Sequence, residues 1–228
     1  MSDNLKKVAT QARSSWVLSY GDTVTLLICF FIMMITVRAG QINKVHHWVN
    51  ERLDEAAAEV QAVMDDSGIE EIAVSRNSKG VQITLKDPRL FEIASAQPRQ
   101  SHIYQLDAVA ASIQDLNIFT LKQTEHAVFL KELEDNGLQW LVEIRIEGHT
   151  DDMRLTRNAT YRDNWELSAA RAQAIMLELQ ERTGISPSIF AIGGFGEFQP
   201  IGDNNTQLGR EVNRRVEIYI GASLVKSL

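Results

Sequence analysis

One carboxylate, Asp22, lies inside the apolar run WVLSYGDTVTLLICFFIMMITV, which extends from Trp16 to Val37. Placing an aspartate at membrane depth costs about 2.5–3.5 kcal/mol on insertion scales, and its stem is too short to carry the charge to the interface. Acids kept at such a cost face a helix bundle or a wet cavity and serve ion movement. On a helix, Ser15, Ser19, Asp22, Thr25, Cys29 and Thr36 share about a third of the circumference. Trp16, Val24, Leu27, Phe31 and Ile35 form the opposite, lipid-compatible face. The chemistry offered is protonation or cation binding at Asp22; the competing account is a buried carboxyl satisfied by hydrogen bonds. Intramembrane aspartyl proteolysis needs two carboxylates sharing a proton, which one Asp per chain supplies only across a homodimer.

The element that must hold Asp22 is a single transmembrane helix. A helix of this length would span about 33 Å, against a hydrocarbon core of about 30 Å. Lys6, Lys7 and Arg13 resemble the basic start of a secretory signal. A signal's apolar stretch is shorter, however, and no A-x-A-like cleavage site follows this one. A retained anchor over residues 16–37 is expected, after a tail over residues 1–15. Basic residues flank both ends, with Arg38, Lys44 and Arg52 following the span, so charge alone does not orient it.

The chain has 228 residues, 44% hydrophobic and 23% charged, with a net charge of −7. The segment up to Arg38 is basic, so the remainder is more acidic than the whole, which argues against nucleic acid as a partner. Cys29 is the only cysteine and excludes an intrachain disulfide.

Residues 38–79 read as a juxtamembrane connector. QINKVHHWVNERLDEAAAEVQAVMDD lacks Pro and Gly, and it spaces Ile42, Val45, Val49, Leu53, Val60 and Val63 at helical intervals up to Ser67-Gly68. Its first part, Ile42–Leu53, is amphipathic enough to lie on a membrane surface. His46 and His47 diverge by about 100° on a helix and do not suit one metal.

Residues 80–228 read as an α+β domain with helices on a small mixed sheet. Strand signals occur at Gly80–Leu85, within WLVEIRIEGHTDD, in SIFAIGG and in NRRVEIYIG. Helix signals occupy Ile103–Leu116, Leu121–Asn136 before Gly137, and Asn164–Gly184, with Asn164 as N-cap and Gly184 as terminator. GGFGE follows a strand and opens no helix, so it reads as a turn rather than a phosphate loop. His149 and Asp152 flank a potential metal position beside Asp151, but no second cluster in the sequence completes it.

IEGHTDD, NWELSAARAQAI, GGFGEFQPI and NRRVEIYI, in that order, resemble the blocks of OmpA-like peptidoglycan-binding domains. With the span SYGDTVTLLICFF ahead of them, the chain resembles MotB-type B subunits of ion-driven stators, a plan shared by the ZorB subunits of Zorya anti-phage systems. The resemblance implies an ion-translocating Asp22 moving H+ or Na+ with no other cofactor, a polytopic A-type partner (MotA or ZorA type), and a homodimer of B subunits. It also implies a non-enzymatic role in the bacterial inner membrane, with the N-terminus cytoplasmic and the C-terminal domain periplasmic. By motif position, Asp151 would meet the ammonium and Arg171 the carboxylate of a diaminopimelate centre, with Asn164 and Leu167 on the same helix face as Arg171. Arg214 and Arg215 are assigned a structural role. Two features depart from the family: Gly21 stands where stators usually carry Ala, and Leu121–Asn136 is an added stretch suited to docking or dimerisation. A passive membrane-to-wall tether is the alternative function.

Overall fold

The computed structural model describes the backbone of residues 2–226 and the side chains of residues 16–37 and 44–226. It divides into two compact units, residues 1–48 and 49–228. Helix α1, Ser2–Ser67, contributes to both.

In the first unit, Trp16–Val37 is long and apolar enough to cross a membrane, with a mean hydropathy of 1.9. The hydroxyl of Thr25 donates to the carbonyls of Gly21 and Asp22, and that of Thr36 to Met33. The Thr25 and Thr36 hydroxyls are thus satisfied by their own helix, and Asp22, exposed, is the one carboxylate within Trp16–Val37. A Cβ added at Gly21 would touch nothing within 4 Å, so the chain has room for the alanine usual in stators.

The second unit is built on a five-stranded mixed sheet of order β1-β2-β5-β3-β4. Its strands are β1 (Ile72–Asn77), β2 (Gly80–Leu85), β3 (Leu138–Gly148), β4 (Phe190–Gly194) and β5 (Val216–Lys226). Only β3 and β4 run parallel, joined through the long helix α5 (Asn164–Thr183); the other pairs are antiparallel. Alternation puts Val81, Ile83, Ile144, Ile146, Ile218 and Ile220 on one face, each 0% exposed. Ile144 lies opposite Ile220 and Ile146 opposite Ile218, forming rows that helix α2 (Tyr104–Gln114) and α5 help to cover through Val109, Ile113, Ala172, Ile175 and Leu179.

The domain begins earlier than residue 80. Leu53, Ala56, Val60 and Met64 of α1 are in the same core, and β1 pairs along its whole length with β2. Asp54 and Asn50 bind Arg76 of β1, and Glu59 binds Asn117. The apolar stripe of the connector therefore serves the domain from Val49 onward, and Leu53, 5% exposed, is not available to a membrane surface.

Other boundaries shift for local reasons. The N-cap of α5 is Asp163, whose carboxylate accepts from the Glu166 amide, so Asn164 is free for another task. Leu121–Asn136 is a short 3-10 turn, an extended Thr124 and then a helix, α4 (Ala127–Asp135), after the four-residue helix α3 (Asn117–Thr120). Helix α6 (Gln207–Asn213) occupies the residues before β5, which starts at Val216 and continues to Lys226.

Two glycines set how closely α5 approaches the sheet. A Cβ on Gly148 would fall 2.1 Å from the Ser168 carbonyl oxygen, and one on Gly194 would fall 2.6 Å from the Ala169 nitrogen. Both obstacles are helix backbone, so Gly194→Ala is expected to lower the unfolding free energy by about 1–3 kcal/mol or more. Thermal unfolding checks this; an unchanged midpoint would mean that the helix can move away without loss.

Candidate functional site

The N-terminal ends of α5 and β5, the loop after β3 and the loop after β2 enclose a cavity of about 460 Å³. Asp151, Asn164, Leu167 and Arg171 all line it, as do Arg214 and the 87–99 loop. The chain bends away from β3 immediately after Gly148. The His149 amide donates to the Arg215 carbonyl and the Thr150 amide to that of Gly196, which fixes the direction in which Asp151 leaves the sheet.

Asp151 does not contact Arg171 directly. One of its carboxylate oxygens accepts from Arg214 Nη1 at 2.7 Å and the other from the Met153 amide at 3.2 Å. Asn164, relieved of capping, donates through Nδ2 to the Asp151 and Met153 carbonyls and to Glu197 Oε2, tying the loop to the start of α5. Leu167 is 3% exposed and forms an apolar wall. Arg214, assigned from sequence to a structural role, therefore stands in the site as the resident partner of Asp151. Its placement depends on Asn213, which is completely buried and binds the Ile201 and Gly202 amides and the Gly202 carbonyl.

Arg171 is also committed. Its Nε donates to the Ser95 carbonyl at 3.0 Å and Nη2 to that of Glu92 at 3.4 Å, and its guanidinium lies 4.8 Å from the Phe91 ring centre. Burial pushes its pKa down to about 10, with the nearby Asp151 charge opposing the shift, so it is cationic at neutral pH. The loop it holds contains Ala94 at φ 55°, a left-handed conformation that costs a non-glycine residue about 1–2 kcal/mol. Two charge-assisted hydrogen bonds to that loop offset this strain and keep the cavity wall in place.

A second polar cluster lies beyond the cavity, on the other face of the sheet. Glu147 and Glu217 are directly opposite in the β3–β5 register, an arrangement that like charges oppose. Lys79 lies 3.2 Å from Glu147, Arg215 lies 2.5 Å from Glu217, and Tyr219 donates to Glu217 at 2.6 Å. His149, 1% exposed and stacked on Phe195, brings a ring nitrogen close enough that its ligand atoms and those of the two glutamates lie within 4.8 Å of one another. This is a different grouping from the His149 and Asp152 pair considered from sequence, because Asp152 is exposed. Lys79 and Arg215 already neutralise both acids, so a divalent ion there would face two resident cations.

Burial, reinforced by the Arg215 charge, lowers the His149 pKa to about 4 from an ordinary 6.5. The unfolded chain then binds the proton more readily between these values. Stability from neutral His149 is complete above about pH 6.5 and is lost as pH falls toward 4, by up to about 3 kcal/mol. Burial also tends to raise Glu217, but the Tyr219 and Arg215 hydrogen bonds outweigh it and lower the pKa, so that contribution is lost only at more acidic pH. His149→Phe, which preserves the stacked shape, is expected to flatten the pH dependence of the unfolding midpoint between pH 6.5 and 4.5. A slope equal to the parent's would assign that dependence to other groups.

The cavity-forming segment coincides with a known family. The model of the OmpA family matches residues 90–214, more than half of the chain. The chain belongs to the OmpA family. Its N-terminal part, residues 4–50, matches the model described as membrane MotB of the proton-channel complex MotA/MotB, so the OmpA-family domain follows a MotB-type membrane segment. Motility protein B of Bacillus subtilis is 29% identical over 171 residues, covering 75% of this chain and 56% of that protein. Motility protein B of Helicobacter pylori strain 26695 is 24% identical over 235 residues, covering 96% and 90%. Among solved structures, a MotB-like protein from Desulfovibrio vulgaris shares the fold with a TM-score of 0.58 at 23% identity, covering 78% of this chain and 98% of that one. The cell wall anchor of the T6SS from Pseudomonas aeruginosa gives a TM-score of 0.54 at 25% identity, covering 72% and 97%.

Proposed function

We propose that this chain is the peptidoglycan-anchored B subunit of an ion-driven stator. In this reading Asp22 carries a proton or sodium ion at the boundary with a polytopic A-type subunit, and the OmpA-family domain holds the assembly to the cell wall. The observation that carries it is the pairing of one carboxylate in an apolar span with an OmpA-family cavity holding Asp151 and Arg171. The MotB match over residues 4–50 supports an A-type partner of the MotA class. The reading places the N-terminus in the cytoplasm and the domain in the periplasm, with two B subunits side by side.

The domain's chemistry suits a diaminopimelate-bearing stem peptide. An incoming ammonium replaces the Arg214 guanidinium at Asp151, while the ligand carboxylate meets the cationic wall provided by Arg171 and the released Arg214. No bond is made or broken; the work done is anchoring. The detergent-solubilised full chain should co-sediment with purified sacculi and co-purify with its A-type partner. A chain that does neither is not a stator subunit.

Motility is the output we favour, since two of the relatives above are named Motility protein B. A Zorya-type defence role shares the mechanism and differs in output, which assays of swimming and of phage protection separate. The expected plug is Ile42–Leu53, of which residues 42–48 precede the second unit. Their replacement by a flexible segment of equal reach should make cells co-expressing the A-type partner leak ions and grow slowly. Unchanged growth and internal pH would remove the plug.

A further inference from the structure

The charge balance of the cavity exceeds what one zwitterionic centre can satisfy. Its lining includes seven arginines against three acids, in a chain whose net charge is −7. Several of these arginines are already neutralised. Arg89 pairs with Asp87 and Glu71, Arg99 lies 4.0 Å from Glu92, Arg214 binds Asp151, and Arg215 binds Glu217.

Arg154, Arg171 and Arg210 differ, because among the described residues no carboxylate lies within 4.0 Å of any of them. Arg171 and Arg210 donate to backbone carbonyls, which satisfy the hydrogen bonds but leave the charge. Arg154 is exposed on the rim, three residues beyond Asp151, and has no hydrogen bond among the described residues. A ligand ammonium taking Asp151 would also release Arg214, adding a fourth uncompensated guanidinium. One ligand carboxylate answers one of these cations. Planar guanidinium groups around a partly desolvated cavity match additional carboxylates in particular, since each offers a bidentate face.

We infer that the cavity selects stem peptides bearing at least two free carboxylates, with Arg154 reading the second. This rests on the stem-peptide reading of the site and adds to it a discrimination between free-acid and amidated peptides. Arg154 stands outside the sequence blocks that carry the OmpA resemblance.

The test uses the full chain in detergent and two synthetic peptides, both L-alanyl-γ-D-glutamyl-diaminopimelate with the carboxyl of the peptide-linked diaminopimelate centre amidated, differing only in whether the glutamate α-carboxyl is free or amidated, so that they carry two and one free carboxylates. Titration calorimetry at about 0.15 M salt limits long-range attraction. The free acid is expected to bind about tenfold more tightly, the difference that one charge-assisted contact makes. Arg154→Gln, a change on an exposed rim with an unaltered melting temperature, should weaken the free acid alone and bring the two affinities together. Equal affinities in the parent would overturn the inference and leave the anchoring function intact. Discrimination surviving in Arg154→Gln would overturn the role of Arg154. Failure of both peptides to bind would overturn the stem-peptide reading itself, and the inference with it.

Discussion

Asp22→Asn is expected to abolish motor output completely while leaving the assembled complex and its grip on sacculi unchanged. The substitution keeps the side chain's shape and removes its only titration, so the site can neither release nor accept a proton. A potential of about 100 mV supplies about 2.3 kcal/mol for each charge moved, and a site that cannot change charge couples none of it. Assembly should survive because a neutral amide is cheaper to bury than a carboxylate, and the Thr25 and Thr36 hydroxyls are satisfied within the helix. Asp22→Glu retains the chemistry and displaces it by one methylene, so partial output is expected. The measurements are swimming or phage protection in cells carrying each variant, with co-purification and sacculus binding as controls. Full output from the Asn variant would leave a passive tether as the better account of the chain. Loss of co-purification would make Asp22 a structural residue.

The second large effect concerns Arg171. Truncation to alanine removes two charge-assisted hydrogen bonds to the 92–95 loop and a cation lining the cavity. A lost charged contact of this type is worth about 1.5–3 kcal/mol, which corresponds to a fall in sacculus affinity of about tenfold to a hundredfold. The same loss acts on the fold, because the strained loop at Ala94 would keep its cost without its anchor. Binding and folding are therefore read separately. Arg171→Lys retains the charge and loses the fork, and it should recover most of the stability but only part of the binding. Asp151→Asn retains an acceptor for the Met153 amide and removes the charge proposed to meet a ligand ammonium. It should bind at least tenfold more weakly with an unfolding free energy changed by about 1 kcal/mol, the scale of a partly exposed ion pair. If Asp151→Asn and Arg171→Lys both hold sacculi as the parent does, the wall ligand sits elsewhere.

What could be read directly from the residues is whatever depends on near neighbours in the chain. The span Trp16–Val37 follows from its length and hydropathy, and the placing of Asp22 on its polar stripe follows from helical spacing. Gly68, Gly137 and Gly184 stop the helices before them, with φ of 65°, 76° and 66°, because a residue without Cβ enters the left-handed region at little cost. The alternation in Gly80–Leu85 announces a strand, and the resemblance of the ordered blocks implies one site for Asp151 and Arg171, which line the same cavity. The decisions left to the tertiary structure involve partners remote in sequence. Strand β1 carries a weak pattern, Ile72–Asn77, and exists because β2 supplies its hydrogen bonds. The apolar stripe of α1 marks a helix but not what covers it, and Leu53, Ala56, Val60 and Met64 are covered by the domain. Arg214 lies 63 residues from Asp151 and Arg171 lies 76 from Ser95, so no local periodicity signals either contact. Each arises when the sheet brings the starts of α5 and β5 to the same edge, where an arginine must find an acid or a carbonyl before its charge can be buried.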